Sequence, residues 1–232
     1  MRGAAGIAAA LWLCGNSVFA EPVIVGADYT APTTRYPHGV LGDIVEYGQL
    51  NLRFADQPVQ TITLPKDHVF EDVAPRLWDV TGDGNPEVVV IESDAGKGAA
   101  LVVYGPDGKL AETPHIGTRN RWLAPIAAAD LDGDGQVEIA YIDRPHLAKT
   151  LRVWRFQNGA LSQIAAVQGL TNHKIGWAFI AGGLRACDGP ELITADANWR
   201  RIIATRFEDG VLRHRDLGAY RGPESFDHAK GC

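Results

Sequence analysis

Laid over itself with a shift of 51 residues, the chain repeats, and this constrains its fold more than any other feature. Asp79-Val-Thr-Gly-Asp83-Gly84-Asn-Pro-Glu87 returns as Asp130-Leu-Asp-Gly-Asp134-Gly135-Gln-Val-Glu138. The turn Asp107-Gly108 returns as Asn158-Gly159 and Asp209-Gly210, followed two residues on by Leu110, Leu161 and Leu212. Leu50–Phe54 stands 51 before Leu101–Gly105, and Asp28 and Thr30 stand 51 before Asp79 and Thr81. Asp188-Gly-Pro-Glu191 is a weaker fourth copy after small length changes. Four units follow, near 21–71, 72–122, 123–173 and 174–222, with a tail to Cys232.

Each unit reads as strand, acidic loop, strand, loop, strand, glycine turn, strand. In the second unit the strands are expected at Ala74–Trp78, Val88–Ile91, Ala100–Tyr104 and Lys109–His115. The runs are short, rich in Val and Ile and bounded by Gly, Asp and Asn, with no sustained helical period. Four antiparallel strands alone would leave sheet edges unprotected and a face uncovered. Radial packing of such units solves both problems, so the expected fold is all-β, a small propeller of about four blades with four antiparallel strands each. An open or stacked β arrangement is the alternative. With 46% hydrophobic and 22% charged residues the chain has a core-forming composition, which excludes a disordered one.

The first twenty residues read as a secretory signal: Arg2, the apolar stretch Ala4–Leu13, then Val18-Phe19-Ala20 as the cleavage site. A lipoprotein would use Cys14, but Trp12 and Leu13 stand where small residues are needed. No later segment approaches the roughly 20 apolar residues of a membrane span, so the expected product is exported, periplasmic or extracellular. Removing residues 1–20 takes the formal net charge from −6 to −7, which argues against nucleic acid as a partner. It also leaves two cysteines, Cys187 and Cys232, and an exported chain with an even count is expected to pair them.

The two acidic loops have the residues for a hard cation. Ca²⁺ takes six to eight oxygens, which a loop Asp-x-Asp-x-Asp-Gly-x-x-Glu supplies from alternate positions. The expected ligands are Asp79, Thr81, Asp83, the Asn85 carbonyl and Glu87 in the first loop. In the second they are Asp130, Asp132, Asp134, the Gln136 carbonyl and Glu138. Thr81 stands in for a carboxylate, so the first loop is expected to bind more weakly. An EF-hand fails, because its twelfth position holds Val90 or Tyr141 and strands rather than helices follow the loops. Units one and four have lost the pattern. Cys187 lies inside the degraded fourth loop, where a Cys187–Cys232 disulfide is expected to replace the ion as a staple.

Asp79–Glu87 and Asp130–Glu138, each with its following strand, resemble the calcium loops of FG-GAP/VCBS repeats, the units of integrin α-subunit propellers. The resemblance implies calcium as the ion and a loop joining the first and second strands of a blade. The chain departs from that family in having no literal Phe-Gly…Gly-Ala-Pro stretch, and integrin-type propellers have more than four blades. The family includes adhesion modules, lectin-like domains and accessory domains of enzymes.

Strand order puts the acidic loops and the glycine turns on one face, and the loops between second and third strands and between units on the other. That second face gathers Arg119, Arg121, Trp122, Asp143, His146, His173, Asp196, Trp199 and Arg200, the expected ligand-binding set. The two Trp suit stacking on a sugar or aliphatic segment and the arginines suit an anion, pointing to a protein or carbohydrate ligand. No nucleophile triad, phosphate loop or zinc spacing is present, so a non-catalytic binding module is expected. The alternative is a hydrolase or lyase using Asp143 with His146 or His173 on the same face. His38, in Tyr36-Pro-His-Gly39, finds no explanation in the repeat.

Overall fold

In the computed structural model, which describes residues 22–232, the chain is built from antiparallel strands with one short helix. Residues 1–20, expected from the sequence to be a secretory signal, lie outside the described residues, as does Cys14. The strands are β1 (Ile24–Thr33), β2 (Glu46–Phe54), β3 (Gln60–Thr63), β4 (His68–Phe70), β5 (Arg76–Trp78), β6 (Glu87–Asp94), β7 (Gly98–Gly105) and β8 (Gly108–Glu112). There follow β9 (Leu123–Ala129), β10 (Glu138–Asp143), β11 (Thr150–Gln157), β12 (Ala160–Gln168), β13 (Leu170–Thr171), β14 (Gly183–Arg185), β15 (Glu191–Asp196), β16 (Arg201–Glu208) and β17 (Val211–Ala219). Helix α1 (Glu224–Lys230) closes the chain.

The expected four blades resolve as three hydrogen-bonded sheets of eight, four and five strands. The four-stranded sheet, β9 to β12, follows the repeat as read from the sequence. The five-stranded sheet has its inner strand split into β13 and β14, both paired with β15. The first unit does not form a sheet of its own. It supplies β1, β2 and β3, and β4 pairs on one side with β2 and on the other with β6, fusing the first two units.

Asp28 and Thr30 also depart from the repeat phase. They lie within β1, opposite Asn51 and Gln49, rather than in a loop, and Asp28 pairs with Arg53. An excursion over residues 34–45 follows β1, and His38 sits in it rather than in a strand.

Packing explains the order of the sheets. β6 reads Val88-Val-Val-Ile91 and is buried on both sides, as β-branched runs between two layers are. Val88 and Val90 pack with Leu50, Leu52 and Phe70 of the first unit. Val89 and Ile91 pack instead with Leu123, Ile139 and Trp154 of the four-stranded sheet. The opposite side of that sheet meets Leu192 and Phe207. A fourth cluster joins Ile193, Ala195 and Ile202 to Phe226 of α1. Among the described residues no such cluster joins the last sheet to β1–β3, and α1 covers one side of the last sheet. The last edge strand, β17, carries Arg213, Arg215 and Asp216, charges that discourage pairing with another chain.

The expected disulfide is present: Cys187 and Cys232 are bonded, with Cα atoms 5.6 Å apart. It holds the end of α1 against the segment before β15, closing 45 residues of chain. Replacing both cysteines by serine is expected to lower stability by about 4 kcal/mol, the loop-closure value for this separation. Denaturant unfolding of the double variant against the oxidised protein measures it, and equal midpoints would refute a stapling role.

Candidate functional site

The two acidic loops share one conformation. Asp79 accepts hydrogen bonds from the backbone N–H of Gly82 (2.7 Å) and Gly84 (2.9 Å), and Asp130 accepts the equivalent pair from Gly133 (2.7 Å) and Gly135 (2.9 Å). Asp83 and Asp134 each accept from the residue two further on, Asn85 and Gln136. Gly84 and Gly135 have φ of 91° and 85°, a turn that a side chain would strain. At the base of each loop stands a buried glutamate, Glu87 or Glu138, opening β6 or β10. Burial pushes both carboxyls above their ordinary range, a penalty that a bound cation would offset.

The loops differ in what faces the glutamate. Glu87 accepts from the backbone N–H of Val80 and Thr81 and from the Thr81 hydroxyl. Glu138 accepts from Leu131 N–H and also pairs with Arg155 at 2.6 Å. The same guanidinium reaches Asp132 (2.9 Å) and Asp134 (2.8 Å), so Arg155 lies across three of the second loop's four carboxylates. Oxygens of Asp130, Asp132 and Glu138 nevertheless lie within 4.8 Å of one another, a spacing that fits an oxygen-ligated cation. In the fourth unit Glu191 opens β15 and pairs with Arg206 (3.1 Å), Arg215 (2.8 Å) and Arg185 (3.5 Å). Burial raises its pKa, but Arg215 and Arg206 outweigh burial and hold the carboxyl below its usual range.

At the other ends of β9 and β10 lies a cleft of about 230 Å³. His38 and Val40 enter it from the 34–45 excursion, Arg121 and Trp122 from the approach to β9, Arg144 and His146 from the loop after β10, and Ile175 from the segment between β13 and β14. Behind His38 stands the buried Glu71, whose carboxylate pairs with His38 Nδ1 and accepts from the Ser93 hydroxyl. His146 is held by a second chain. His173 Nε2 meets the Trp177 carbonyl at 2.9 Å, so that nitrogen carries the proton. His173 Nδ1 then accepts from His146 Nε2 at 2.9 Å, leaving His146 Nδ1 unprotonated.

Several of the sequence-predicted ligand residues meet here, and others do not. Arg121 and His146 line the cleft, and no carboxylate lies within ion-pair distance of Arg121 among the described residues. Trp122 also lines it but is only 2% exposed, with its indole N–H donating to the Glu71 carbonyl (2.8 Å), so its ring face is not open to a ligand. His173 is fully buried and positions His146. Arg119 is exposed beside Tyr36. Asp143 is buried and paired with Arg144 and Arg152. Asp196 caps a turn by accepting from Arg200 and Arg201 N–H, and Arg200 points to solvent. Trp199 packs with Trp177, Tyr220 and Phe226, and Lys174 lies over its ring at 4.6 Å. Sequence reading missed His38, Glu71 and Arg144. The only signal was His38 itself, a polar residue without a place in the repeat.

Residues 79–141 match the model of the FG-GAP-like repeat, a span that opens on Asp79 and takes in both acidic loops. Comparison with curated proteins gave no match. Among solved structures the chain is similar to the exotype rhamnogalacturonan lyase YesX, with 16% sequence identity and a TM-score of 0.42 over 74% of this chain. It spans 40% of that protein's length.

Burial, with His173, His38 and Lys149 nearby, pushes His146 down from 6.5 to about 4. The unfolded chain therefore binds a proton that the folded one refuses, so this contribution to stability is whole above pH 6.5 and is lost as pH falls towards about 4. His146→Gln is expected to flatten the acid limb of the stability–pH curve by up to one proton. Unfolding midpoints across that window measure it, and an unchanged slope would refute the assignment.

Proposed function

We propose that this protein is an exported, calcium-stabilised FG-GAP-type module, propeller-like in its repeats. Its cleft binds an acidic group of a protein or carbohydrate ligand. The reading rests on one observation above all: Arg121, with no carboxylate partner among the described residues, shares the cleft with two oriented imidazoles and the apolar Val40 and Ile175. A guanidinium offers a planar fork to a carboxylate, and the apolar wall suits the carbon skeleton that bears it. Export is supported by the Cys187–Cys232 disulfide. No helix among the described residues is long and apolar enough to cross a membrane.

In this reading calcium sits in the loops of the opposite face and acts on stability rather than on the ligand. Asp130, Asp132, Asp134, the Gln136 carbonyl and Glu138 hold one ion, and Asp79, Thr81, Asp83, the Asn85 carbonyl and Glu87 hold a weaker one. Arg155 opposes binding at the second loop, so an affinity near the extracellular range, on the order of 10⁻⁴–10⁻³ M, is expected. Calcium is expected to raise the melting temperature and chelation to lower it. Glu138→Gln should abolish most of the shift, while Arg155→Gln should strengthen binding roughly tenfold by removing a nearby positive charge. Titration calorimetry with calcium measures both, and no heat or stabilisation in any variant would refute the calcium assignment.

A second reading keeps the same cleft but makes it catalytic, as a hydrolase or lyase. The His38–Glu71 pair and the unprotonated Nδ1 of His146 favour it, because both supply a nitrogen base beside an anion-binding arginine. Asp143, neutralised by two arginines, is not placed for that role. Arrays of uronate-bearing oligosaccharides and acidic peptides separate the readings. Arg121→Ala is expected to weaken the ligand found by roughly tenfold or more at unchanged melting temperature. Turnover lost in His38→Ala with binding retained would establish the enzyme, and binding indifferent to Arg121 would refute the cleft as the site.

A further inference from the structure

Away from the cleft and the acidic loops, His68, Asp94 and His115 bring one ligand atom each to within 4.8 Å of one another. His68 opens β4, Asp94 ends β6 directly opposite it in the β4–β6 register, and His115 lies in the segment after β8. None of the three recurs in the repeat, since Arg119, Pro145 and Ala166 stand 51 residues on.

Each side chain is already turned towards a common point. His68 Nδ1 meets the Asp67 carboxylate at 3.0 Å, which fixes the proton on that nitrogen and leaves Nε2 to the site. His115 Nδ1 lies 2.6 Å from the Gly98 carbonyl, which can only accept, so its Nε2 is also left unprotonated. Asp94 Oδ1 accepts from the N–H groups of Gly96 and Lys97, while Oδ2 lies 3.5 Å from His68 Nε2 and 3.4 Å from the exposed Lys97 ammonium, which a bound ion would displace. Glu92 presents Oε1 at 3.8 Å from the same nitrogen, its Oε2 being occupied by the Tyr104 hydroxyl and Lys109. Neighbouring ligands in a tetrahedral zinc site lie roughly 3.4 Å apart, so the His68–Asp94 separation already matches. An imidazole whose second nitrogen is held by a carboxylate or carbonyl is the usual outer-shell arrangement of a metal-bound histidine.

We infer that His68, Asp94 and His115 form a binding site for a divalent transition-metal ion of the zinc class, with Glu92 within reach of a fourth position. Two imidazoles and a carboxylate select zinc, cobalt or nickel over calcium, so this site is chemically distinct from the acidic loops. The side chains of Asp94 and His68 are 11% and 19% exposed, which gives an ion entry while keeping most of the surroundings dry.

The test uses the tag-free mature protein, stripped with chelator and titrated with zinc chloride by calorimetry, with cobalt substitution followed by visible absorption. One zinc per chain and a cobalt spectrum of low coordination number are expected. Zinc affinity should fall about a hundredfold or more in His115→Ala and in Asp94→Asn, and about tenfold in Asp67→Asn, where only the orienting group changes. Circular dichroism and melting curves establish that each variant is folded. Absence of zinc binding and of the cobalt spectrum in the unmutated protein would overturn the site, as would zinc binding that survives loss of His115 or Asp94 in folded variants.

Discussion

Two consecutive acids, Glu71 and Asp72, are buried where the inner strand of the second unit breaks between β4 and β5, and the surrounding architecture is arranged to satisfy them. Asp72 accepts from the Tyr29 hydroxyl, both terminal nitrogens of Arg76, Val73 N–H and Ile91 N–H. Glu71 takes His38 and Ser93 on its carboxylate, Trp122 on its carbonyl, and donates its own N–H to the Ile91 carbonyl. A buried carboxylate that loses a partner is costly, so these bonds must be made together or not at all. They join β1, the 34–45 excursion, β6 and the approach to β9, which is why the first unit merges into the second sheet. Glu46, buried nearby without a cation, is pushed up to about 9 by burial and by Glu71, Asp43 and Asp72, so it stays protonated at neutral pH.

The same constraint recurs at the start of every second strand from β6 onward, with a different solution each time. Glu87 is met by backbone N–H groups and a threonine hydroxyl, Glu138 by one N–H and Arg155, and Glu191 by three arginines. Arg155 and Arg206 stand 51 residues apart, so a guanidinium beside this glutamate is itself part of the repeat. The disulfide at Cys187 is therefore one of two devices in the fourth unit. It ties the chain terminus, while the arginines neutralise the buried Glu191 carboxylate.

What was legible in the sequence was whatever the repeat encodes locally. The acidic loops, the β6–β8 and β10–β12 strands and the cysteine pair all follow from short-range turn chemistry, short β-branched runs between turns, or counting. What escaped depended on partners distant in sequence. Asp28 and Thr30 fit the repeat phase, yet Arg53 and Asn51 across the β1–β2 pair recruit Asp28 as a strand residue. His38 could not be understood without Glu71, 33 residues away. Trp122 and Trp199 have the composition of a ligand face, but Trp122 is buried in the core and Trp199 is partly buried against Phe226, because a large ring at a layer edge gains more from packing than from exposure.

The cleft itself arises where the repeat is interrupted. Residues 34–45 and 172–182 are the two long departures from the strand pattern, and they meet. Gly176 N–H donates to the Val40 carbonyl, and a side chain at Gly42 would press on the Gly176 carbonyl at 2.9 Å. One departure delivers His38 and the other delivers His173 and Ile175, to a place where the regular units already present Arg121 and His146. A strictly periodic chain would fill this end with turns. His38 and His146, held at the open space by bonds to the buried Glu71 and His173, resist the collapse that would cover them. Local irregularity is thus what turns a stack of sheets into a protein with a concave, charged surface.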